Sequence, residues 1–193
     1  MKKRLKIYLF RHGQTYYNKN KIFTGFKDSK LTPLGIKQAK VLAKKLKHKK
    51  FEVAIRTRLS RSKDTLNEVL KYHPECKRIL EDNRMIERSY GNLEGKYHEK
   101  VIEKYSNDQF EKWHRDFYKR PPKGESFADV EKRVRKFIKN LIKLMKKENA
   151  NVAISAHGNS IRLFRKIMEK ASAKEACSWE IPYDKYFVYE IVV

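Results

Sequence analysis

Residues 7–18 read IYLFRHGQTYYN, an apolar run that changes abruptly to arginine, histidine, glycine and polar side chains. The same change occurs in residues 151–158, NVAISAHG, where the apolar run ends at His157 and Gly158. Short apolar runs bounded by polar residues are typical of buried strands. The two segments therefore predict strands over residues 6–10 and 151–156, each followed directly by chemically active side chains.

Further strand candidates alternate with helical patterns along the chain. Apolar runs predict strands at 51–55 and 187–193, with a weaker candidate at 77–80. Strands that alternate with helices favour helices on both faces of a largely parallel sheet. We therefore expect one domain over residues 1–193 with an α/β fold, a three-layer α/β/α sandwich around a mostly parallel central sheet.

Two helices carry recognisable start signals. In residues 31–47, Thr32 is placed as N-cap and Pro33 occupies the first helical position. In residues 125–149, Ser126 and Asp129 form a pattern like a capping box ahead of a long apolar stripe. Both segments therefore predict long helices that pack one face on the sheet.

The formal net charge of +24 is the most unusual bulk property, with Lys and Arg spread along the whole chain. Dispersed positive charge attracts nucleic-acid backbones, but no nucleic-acid-binding motif accompanies it. We favour lysines on solvated helix faces as the explanation and expect no specific nucleic-acid partner. An anionic substrate would still be steered by this field.

Cysteine usage and hydropathy indicate a reduced, cytoplasmic protein. Cys76 and Cys177 are far apart and form no C-x-x-C pair, so neither a disulfide framework nor a metal site is expected. The apolar stretch 7–10 is too short for a signal peptide, and no other stretch approaches a membrane span. We expect no membrane partner, and a monomer or small homo-oligomer.

The strand ends predict a phosphoryl-transfer site. Ligands of such folds gather beyond the carboxyl ends of the strands, so His12 and His157 are expected to converge. A histidine with one free ring nitrogen can attack a phosphoryl group whose charge nearby cations stabilise. Glu87 is a candidate general acid for the leaving oxygen. The candidate donors around the phosphoryl group are Arg11, Arg61, His157, Asn18 and the backbone at Asn159, and Gly13 would allow close approach of the backbone.

Seven motifs resemble one family in their order along the chain. They are RHGQTYYN, FTGFKDSKLTPLG, RLSRSKDT, IERSYGNLEGK, RPPKGES, AHGNSIR and EIPYDKYFVYE. The order resembles the histidine phosphatase superfamily and, within it, most closely the cofactor-dependent phosphoglycerate mutases. The resemblance implies an α/β core, a histidine that is phosphorylated during turnover, 2,3-bisphosphoglycerate as phosphodonor, a small phosphorylated substrate and no metal.

The resemblance also implies roles for single residues. His12 matches the phosphorylated nucleophile and Glu87 the general acid. The surrounding phosphate pocket is matched by Arg11, Asn18, Arg61 and His157. Thr24 and Gly25 match a loop on the substrate side. The positions that hold the far end of a phosphoglycerate are matched by Arg88, Tyr90, Arg115 and Asn159. Thr57 and Arg58 lead into the helix that carries Arg61, and we assign them packing or capping.

Four departures from the mutases bear on the reaction. His98 stands where they usually carry a substrate-binding lysine, although Lys96 lies two residues earlier. His114 stands where the mutases usually carry the first of two arginines, and only the second is present here, as Arg115. RPPKGES lacks the insertion of many mutases, as in many phosphatases, and the sequence ends at Val193 without a tail.

Three functions therefore stay open on the sequence. We expect interconversion of 2- and 3-phosphoglycerate, with hydrolysis of small phosphomonoesters as the alternative. A non-catalytic phosphate- or nucleic-acid-binding module is the third reading. An inert site is expected to lose His12, His157 or Glu87, and all three are present.

Overall fold

A computed structural model describes residues 3–193 and contains a five-stranded sheet. The strands are Arg4–Arg11 (β1), Val53–Arg56 (β2), Arg78–Glu81 (β3), Val152–Ala156 (β4) and Tyr186–Val192 (β5). Their order across the sheet is β3-β2-β4-β1-β5, and β5 runs antiparallel to β1 while the other pairs are parallel. The prediction of a mostly parallel sheet is confirmed.

Eight α-helices connect the strands in the described residues. They are Tyr16–Lys19 (α1), Pro33–Leu46 (α2), Ser60–Leu70 (α3), His98–Tyr105 (α4), Asn107–Arg115 (α5), Phe127–Glu148 (α6), Gly158–Glu169 (α7) and Ala173–Ser178 (α8). Short 3₁₀ turns lie at Asn83–Met85 and Gly91–Leu93. Within the same residues, no helix has the length and apolar character that crossing a membrane requires.

The alternation of side chains along β1 explains the three layers. Leu5, Ile7 and Leu9 belong to a core with α6 and α7, whereas Tyr8 and Phe10 belong to a core with α2 and α3. Successive residues of a strand point to opposite faces, so a strand buried on both faces reads as a continuous apolar run. The predicted α/β/α sandwich is therefore the observed fold.

Both predicted helix starts are observed. The Thr32 side chain accepts a hydrogen bond from the Gly35 backbone N–H at 3.0 Å. Ser126 accepts from the Asp129 N–H at 3.2 Å, and the Asp129 carboxylate accepts from the Ser126 N–H at 3.0 Å. An N-cap of this kind stabilises a helix by about 1 kcal/mol.

The second strand starts later than predicted. Phe51 is completely buried but lies outside β2, which begins at Val53. The ladder of β2 with β4 starts at the pair Val53 and Val152, and the backbone N–H groups of Glu52 and Val53 both donate to the Asn151 carbonyl. Phe51 therefore packs in the core as a residue that precedes the strand.

The register of the central strands places the two histidines together. Arg11 at the end of β1 pairs with Ala156 at the end of β4. The backbone N–H of His12 donates to the Ala156 carbonyl at 3.1 Å. His12 and His157 thus leave the sheet side by side at its carboxyl edge.

Candidate active site

His12 is oriented so that one ring nitrogen is available for attack. Its Nδ1 lies 2.7 Å from the Gly13 carbonyl oxygen, which can only accept, so Nδ1 carries the proton of the neutral ring. The lone pair is then on Nε2, which makes no hydrogen bond within residues 3–193. The ring is 2 % exposed and lies 5.0 Å from the His157 ring, centroid to centroid.

The surroundings keep His12 unprotonated. Burial lowers its pKa well below the ordinary value, and the positive charges of Arg61 and Arg11 lower the pKa further. A histidine that is neutral at pH 7 is a nucleophile, whereas a protonated one is not. The cations around His12 therefore maintain its reactive form.

Gly13 serves a different contact from the one expected. A Cβ at this position would lie 2.2 Å from the Gly35 carbonyl oxygen of α2. The Gly13 N–H donates to the Thr65 hydroxyl at 3.0 Å. Gly13 thus lets the His12 loop pack directly on the backbone of α2, and the close approach is to Gly35.

His157 is held between a threonine and an arginine. Arg61 donates through Nε to its Nδ1 at 3.3 Å, so Nε2 carries the proton and donates to the Thr57 hydroxyl at 2.8 Å. The pKa of His157 is lowered well below its ordinary value by burial, then by Arg61 and His12. The assignment of Thr57 to packing or capping alone was incomplete. Thr57 directly follows β2, the same strand-end position that marked His12 and His157.

Arg61 organises the loop on the substrate side. Its Nη2 donates to the Gly25 carbonyl and its Nη1 to the Lys27 carbonyl, each at 2.9 Å. Burial lowers the pKa of Arg61 to about 10, so it remains charged at pH 7. Arg61 therefore links the Thr24–Gly25 loop to His157.

A cavity of about 600 Å³ opens next to these histidines. Eight residues that the sequence nominated lie in its wall, namely Arg11, Asn18, Thr24, Gly25, Glu87, Tyr90, Arg115 and Asn159. His12, Arg61 and His157 are buried, and the chain neighbours of the two histidines, Arg11 and Gly158, line the cavity. Arg88 and Lys96 do not contribute to it. No group of three or more His, Cys, Asp or Glu side chains suited to a metal occurs among residues 3–193.

Glu87 presents one carboxylate oxygen to the cavity. Its Oε1 accepts from the Arg88 N–H at 2.8 Å and from the Asn159 N–H at 3.1 Å, at the start of α7. Within the described part of the chain, Oε2 has no such partner. The Asn159 amide in turn donates to the Tyr90 hydroxyl at 3.3 Å. The carboxyl group is therefore fixed through one oxygen while the other is free to exchange a proton with a substrate.

Arg88 is placed differently from the sequence expectation. It is completely buried, and its Nη2 donates to the Trp113 carbonyl at 2.7 Å. Its guanidinium carbon lies 4.3 Å from the Phe127 ring centroid and 4.5 Å from that of Tyr90. Arg88 fixes the end of α5 through its bond to the Trp113 carbonyl, whereas its Nε and Nη1 are buried without a partner within residues 3–193. The side chain lies outside the cavity wall.

Lysine reaches the cavity from another segment. Lys96 is exposed. Its backbone N–H donates to the Leu93 carbonyl and its carbonyl accepts from the Phe23 N–H, each at 3.0 Å. Lys21 does line the cavity and has a φ of 51°. Its carbonyl accepts from the His98 N–H at 2.9 Å. Lys21 could not be chosen from the sequence, because a lone lysine in a basic chain carries no signal.

His98 and His114 stand where the mutases usually carry a lysine and an arginine. They form a neutral part of the cavity wall. Their ring centroids are 5.5 Å apart, and Phe23 lies 4.3 Å from His98. Burial lowers the pKa of His98 to about 4 and that of His114 to about 3, and nearby Lys21 and Arg115 contribute. Both rings are therefore uncharged at pH 7.

Two further cavity residues were missed. Arg162 donates to the Asn159 side-chain oxygen at 2.6 Å, and its pKa falls to about 10 through burial and through the charges of Arg115 and Arg11. Its position in AHGNSIR, one helical turn after Asn159, was a usable signal. Tyr183 lies against Arg11, with 4.0 Å between the guanidinium carbon and the ring centroid.

Comparison with known proteins agrees with this geometry. Residues 7–191 match the histidine phosphatase superfamily (branch 1). The chain belongs to this superfamily. A relative from Cytophaga hutchinsonii, named 2,3-bisphosphoglycerate-dependent phosphoglycerate mutase, is 33% identical over 95% of this chain and 86% of its own length.

Solved structures share the fold. The structure of YhfR from Bacillus stearothermophilus matches with a TM-score of 0.85 and 24% identity, over 95% of this chain and 90% of that one. A mycobacterial glucosyl-3-phosphoglycerate phosphatase matches with a TM-score of 0.79 and 21% identity, over 98% of each chain. The protein is thus a histidine phosphatase superfamily enzyme whose relatives carry both mutase and phosphatase names.

Proposed function

We propose that the protein interconverts 2- and 3-phosphoglycerate through a phosphohistidine at His12, with 2,3-bisphosphoglycerate as phosphodonor and without a metal. One observation carries the proposal. Arg115 and Arg162 line the same cavity as Arg11 and Glu87, so cations are available for a second anionic group beside the reacting one. Hydrolysis of a simple phosphomonoester requires no such second group.

In the first step, Nε2 of His12 attacks the phosphorus of the bound donor and a phosphorus–nitrogen bond forms. The phosphorus–oxygen bond to the glycerate breaks, and the leaving oxygen takes the proton of a neutral Glu87 carboxyl group. Arg11 stabilises negative charge on the transferred phosphoryl oxygens, and so do the N–H and O–H donors around His157. The products are phosphohistidine, Glu87 carboxylate and a monophosphoglycerate.

In the second step, the other hydroxyl of a bound monophosphoglycerate attacks phosphohistidine. Glu87 accepts the hydroxyl proton, the phosphorus–nitrogen bond breaks and Nε2 regains its lone pair. The molecule must stay bound by its anionic groups between the two steps, or water attacks instead. Arg115 and Arg162 would hold the carboxylate and the phosphate that does not react.

The alignment with the Cytophaga relative removes one objection. It extends over 184 residues, and 95% of this 193-residue chain is about 183 residues. That mutase-named relative therefore also lacks a long insertion at RPPKGES. The missing insertion is therefore compatible with a mutase, although other mutase-named relatives align over 208 to 211 residues and contain residues that this chain lacks.

Hydrolysis of small phosphomonoesters is the second candidate, and the neutral wall favours it. His98 and His114 are uncharged at pH 7, since their pKa values are about 4 and 3. Fewer cations hold a glycerate less firmly, so water has more access to phosphohistidine. We expect mutase turnover accompanied by measurable hydrolysis of bisphosphoglycerate.

The test is incubation with 2,3-bisphosphoglycerate and 3-phosphoglycerate, with and without EDTA, while 2-phosphoglycerate and free phosphate are followed together. We expect both products, unchanged by EDTA, and acid-labile phosphate on His12 in mass spectrometry under alkaline conditions. His12→Ala should abolish both products. Free phosphate without 2-phosphoglycerate would replace the mutase with the phosphatase.

A further inference from the structure

The segment from Cys177 to Tyr183, here called the 177–183 segment, contacts all three arginines that line the cavity. Alternate backbone carbonyls each accept one guanidinium hydrogen bond. The bonds are Arg115 Nη1 to Cys177 at 3.3 Å, Arg162 Nε to Trp179 at 2.8 Å and Arg11 Nη1 to Ile181 at 2.9 Å. The arginines come from α5, α7 and β1, so this one segment connects three separate parts of the fold.

The backbone changes conformation within the segment. Cys177 lies in the last turn of α8, which ends at Ser178, and Trp179 is extended, with φ −62° and ψ 138°. The chain therefore leaves the helix between the first and the second of the three accepting carbonyls.

The inner end of the segment fixes Arg11 in two ways. The bond to the Ile181 carbonyl fixes one Nη group, and the centroid of the Tyr183 ring lies 4.0 Å from the guanidinium carbon. The hydrogen bond and the ring together restrict the movement of the guanidinium. Nε of Arg11 is buried and has no partner within residues 3–193. The side chain is thereby held with donors unused beside His12.

Carbonyl oxygens also reduce the mutual repulsion of the arginines. The charges of Arg115 and Arg11 lower the pKa of Arg162, so these charges oppose that of Arg162. Without acceptors they would separate. A carbonyl dipole attracts each guanidinium without neutralising its charge, so the charge remains available to a substrate.

We propose that the 177–183 segment sets the separation between the arginine that serves the reacting phosphoryl group, Arg11, and the two that serve a second anion. Tyr183 is the positioning residue at the reacting end. This inference rests on the proposed function for the role of Arg115 and Arg162, while the role of Tyr183 applies to any phosphodonor.

The experiment measures phosphorylation of His12 by two donors, 2,3-bisphosphoglycerate with a second anion and p-nitrophenyl phosphate without one. Tyr183→Ala should lower kcat about tenfold or more with both donors, because Arg11 loses its orientation, and change KM little. Tyr183→Phe keeps the ring and should restore the rate. Arg115→Met should raise KM for bisphosphoglycerate by a larger factor than KM for p-nitrophenyl phosphate.

Tyr72→Ala is the matched control, since Tyr72 is 39% exposed and lies outside the cavity wall. All variants are compared at equal thermal stability, or after correction for the folded fraction. Unchanged kcat in Tyr183→Ala, or a loss that Tyr183→Phe does not restore, overturns the positioning role. Equal effects of Arg115→Met on both donors overturn the division of roles.

The two proposals can fail separately. If wild-type protein phosphorylates His12 but forms no 2-phosphoglycerate, the mutase fails while the Tyr183 comparison still stands or falls by itself. If 2-phosphoglycerate forms and Tyr183→Ala phosphorylates His12 at the wild-type rate, the mutase stands and the positioning role fails.

Discussion

The charge at position 114 offers a quantitative test of the cavity. His114→Arg places a permanent positive charge where the wall is now neutral. The pKa of His114 falls from 6.5 to about 3, through burial first and then through Arg115, His98, Arg88 and Arg162. A pKa difference of this size corresponds to about 5 kcal/mol by which the site opposes a positive charge.

An arginine at position 114 should destabilise the folded protein by less than this amount. Its side chain is longer than that of histidine and can extend its guanidinium towards cavity water. We therefore expect His114→Arg to lower the free energy of unfolding by roughly 2–4 kcal/mol relative to His114→Gln, which is uncharged. The comparison with glutamine separates the effect of charge from the loss of the ring contacts.

The assay is urea unfolding at pH 7.5, with and without saturating 2,3-bisphosphoglycerate. A bound anion compensates the added charge, so the ligand should stabilise the arginine variant more than the glutamine variant. For the same reason, the double substitution His98→Lys and His114→Arg should raise the ratio of mutase to hydrolysis. Equal unfolding midpoints without ligand would refute the reasoning, as would equal stabilisation of both variants by the ligand.

Three further predictions follow from the buried site. The pKa of His114 in the folded protein lies below 6.5, so the folded protein opposes protonation of this ring. The free energy of unfolding is therefore highest above pH 6.5 and falls as the pH drops below 6.5. At pH 5 the loss from His114 is about 2 kcal/mol, measured as the difference between wild type and His114→Gln in the pH dependence of urea unfolding, since His98, His12 and His157 contribute equally to both. Thr57→Val should slow His12 phosphorylation about tenfold or more and cost about 1–3 kcal/mol in unfolding, because the His157 Nε2 proton loses its acceptor, and Thr57→Ser should restore both. Gly13→Ala should fold poorly by circular dichroism, since its Cβ would lie 2.2 Å from a backbone oxygen, whereas Gly158→Ala, with its nearest contact at 3.4 Å, should fold.

The sheet and its paired histidines were predictable because they depend on local patterns. An apolar run that is interrupted by a polar cluster identifies a strand and its end, and parallel neighbours bring their ends to one edge. Arg11 and Ala156 are paired in the register, so His12 and His157 had to meet. Thr57 obeys the same rule after β2, but a threonine at a strand end is too common to be chosen from sequence.

Other site residues depend on packing that no local pattern encodes. Arg88 is completely buried and lies outside the cavity wall, whereas Lys21 lies in that wall. Motif matching aligned Arg88 with a ligand position because it records residue identity and order. It does not record that two aromatic rings and the Trp113 carbonyl already hold the side chain.

The cations of the cavity act on the nucleophile as well as on the substrate. Arg61 and Arg11 lower the pKa of His12, so the charges that would bind phosphate also keep Nε2 unprotonated before phosphate arrives. More positive charge near the site would strengthen both effects, but each added cation is repelled by those already present. Neutral rings at His98 and His114 avoid that repulsion, and they also leave a second anion with fewer cations to hold it. The balance between transfer and hydrolysis should therefore depend on the charge of this wall, with the phosphohistidine chemistry at His12 common to both reactions.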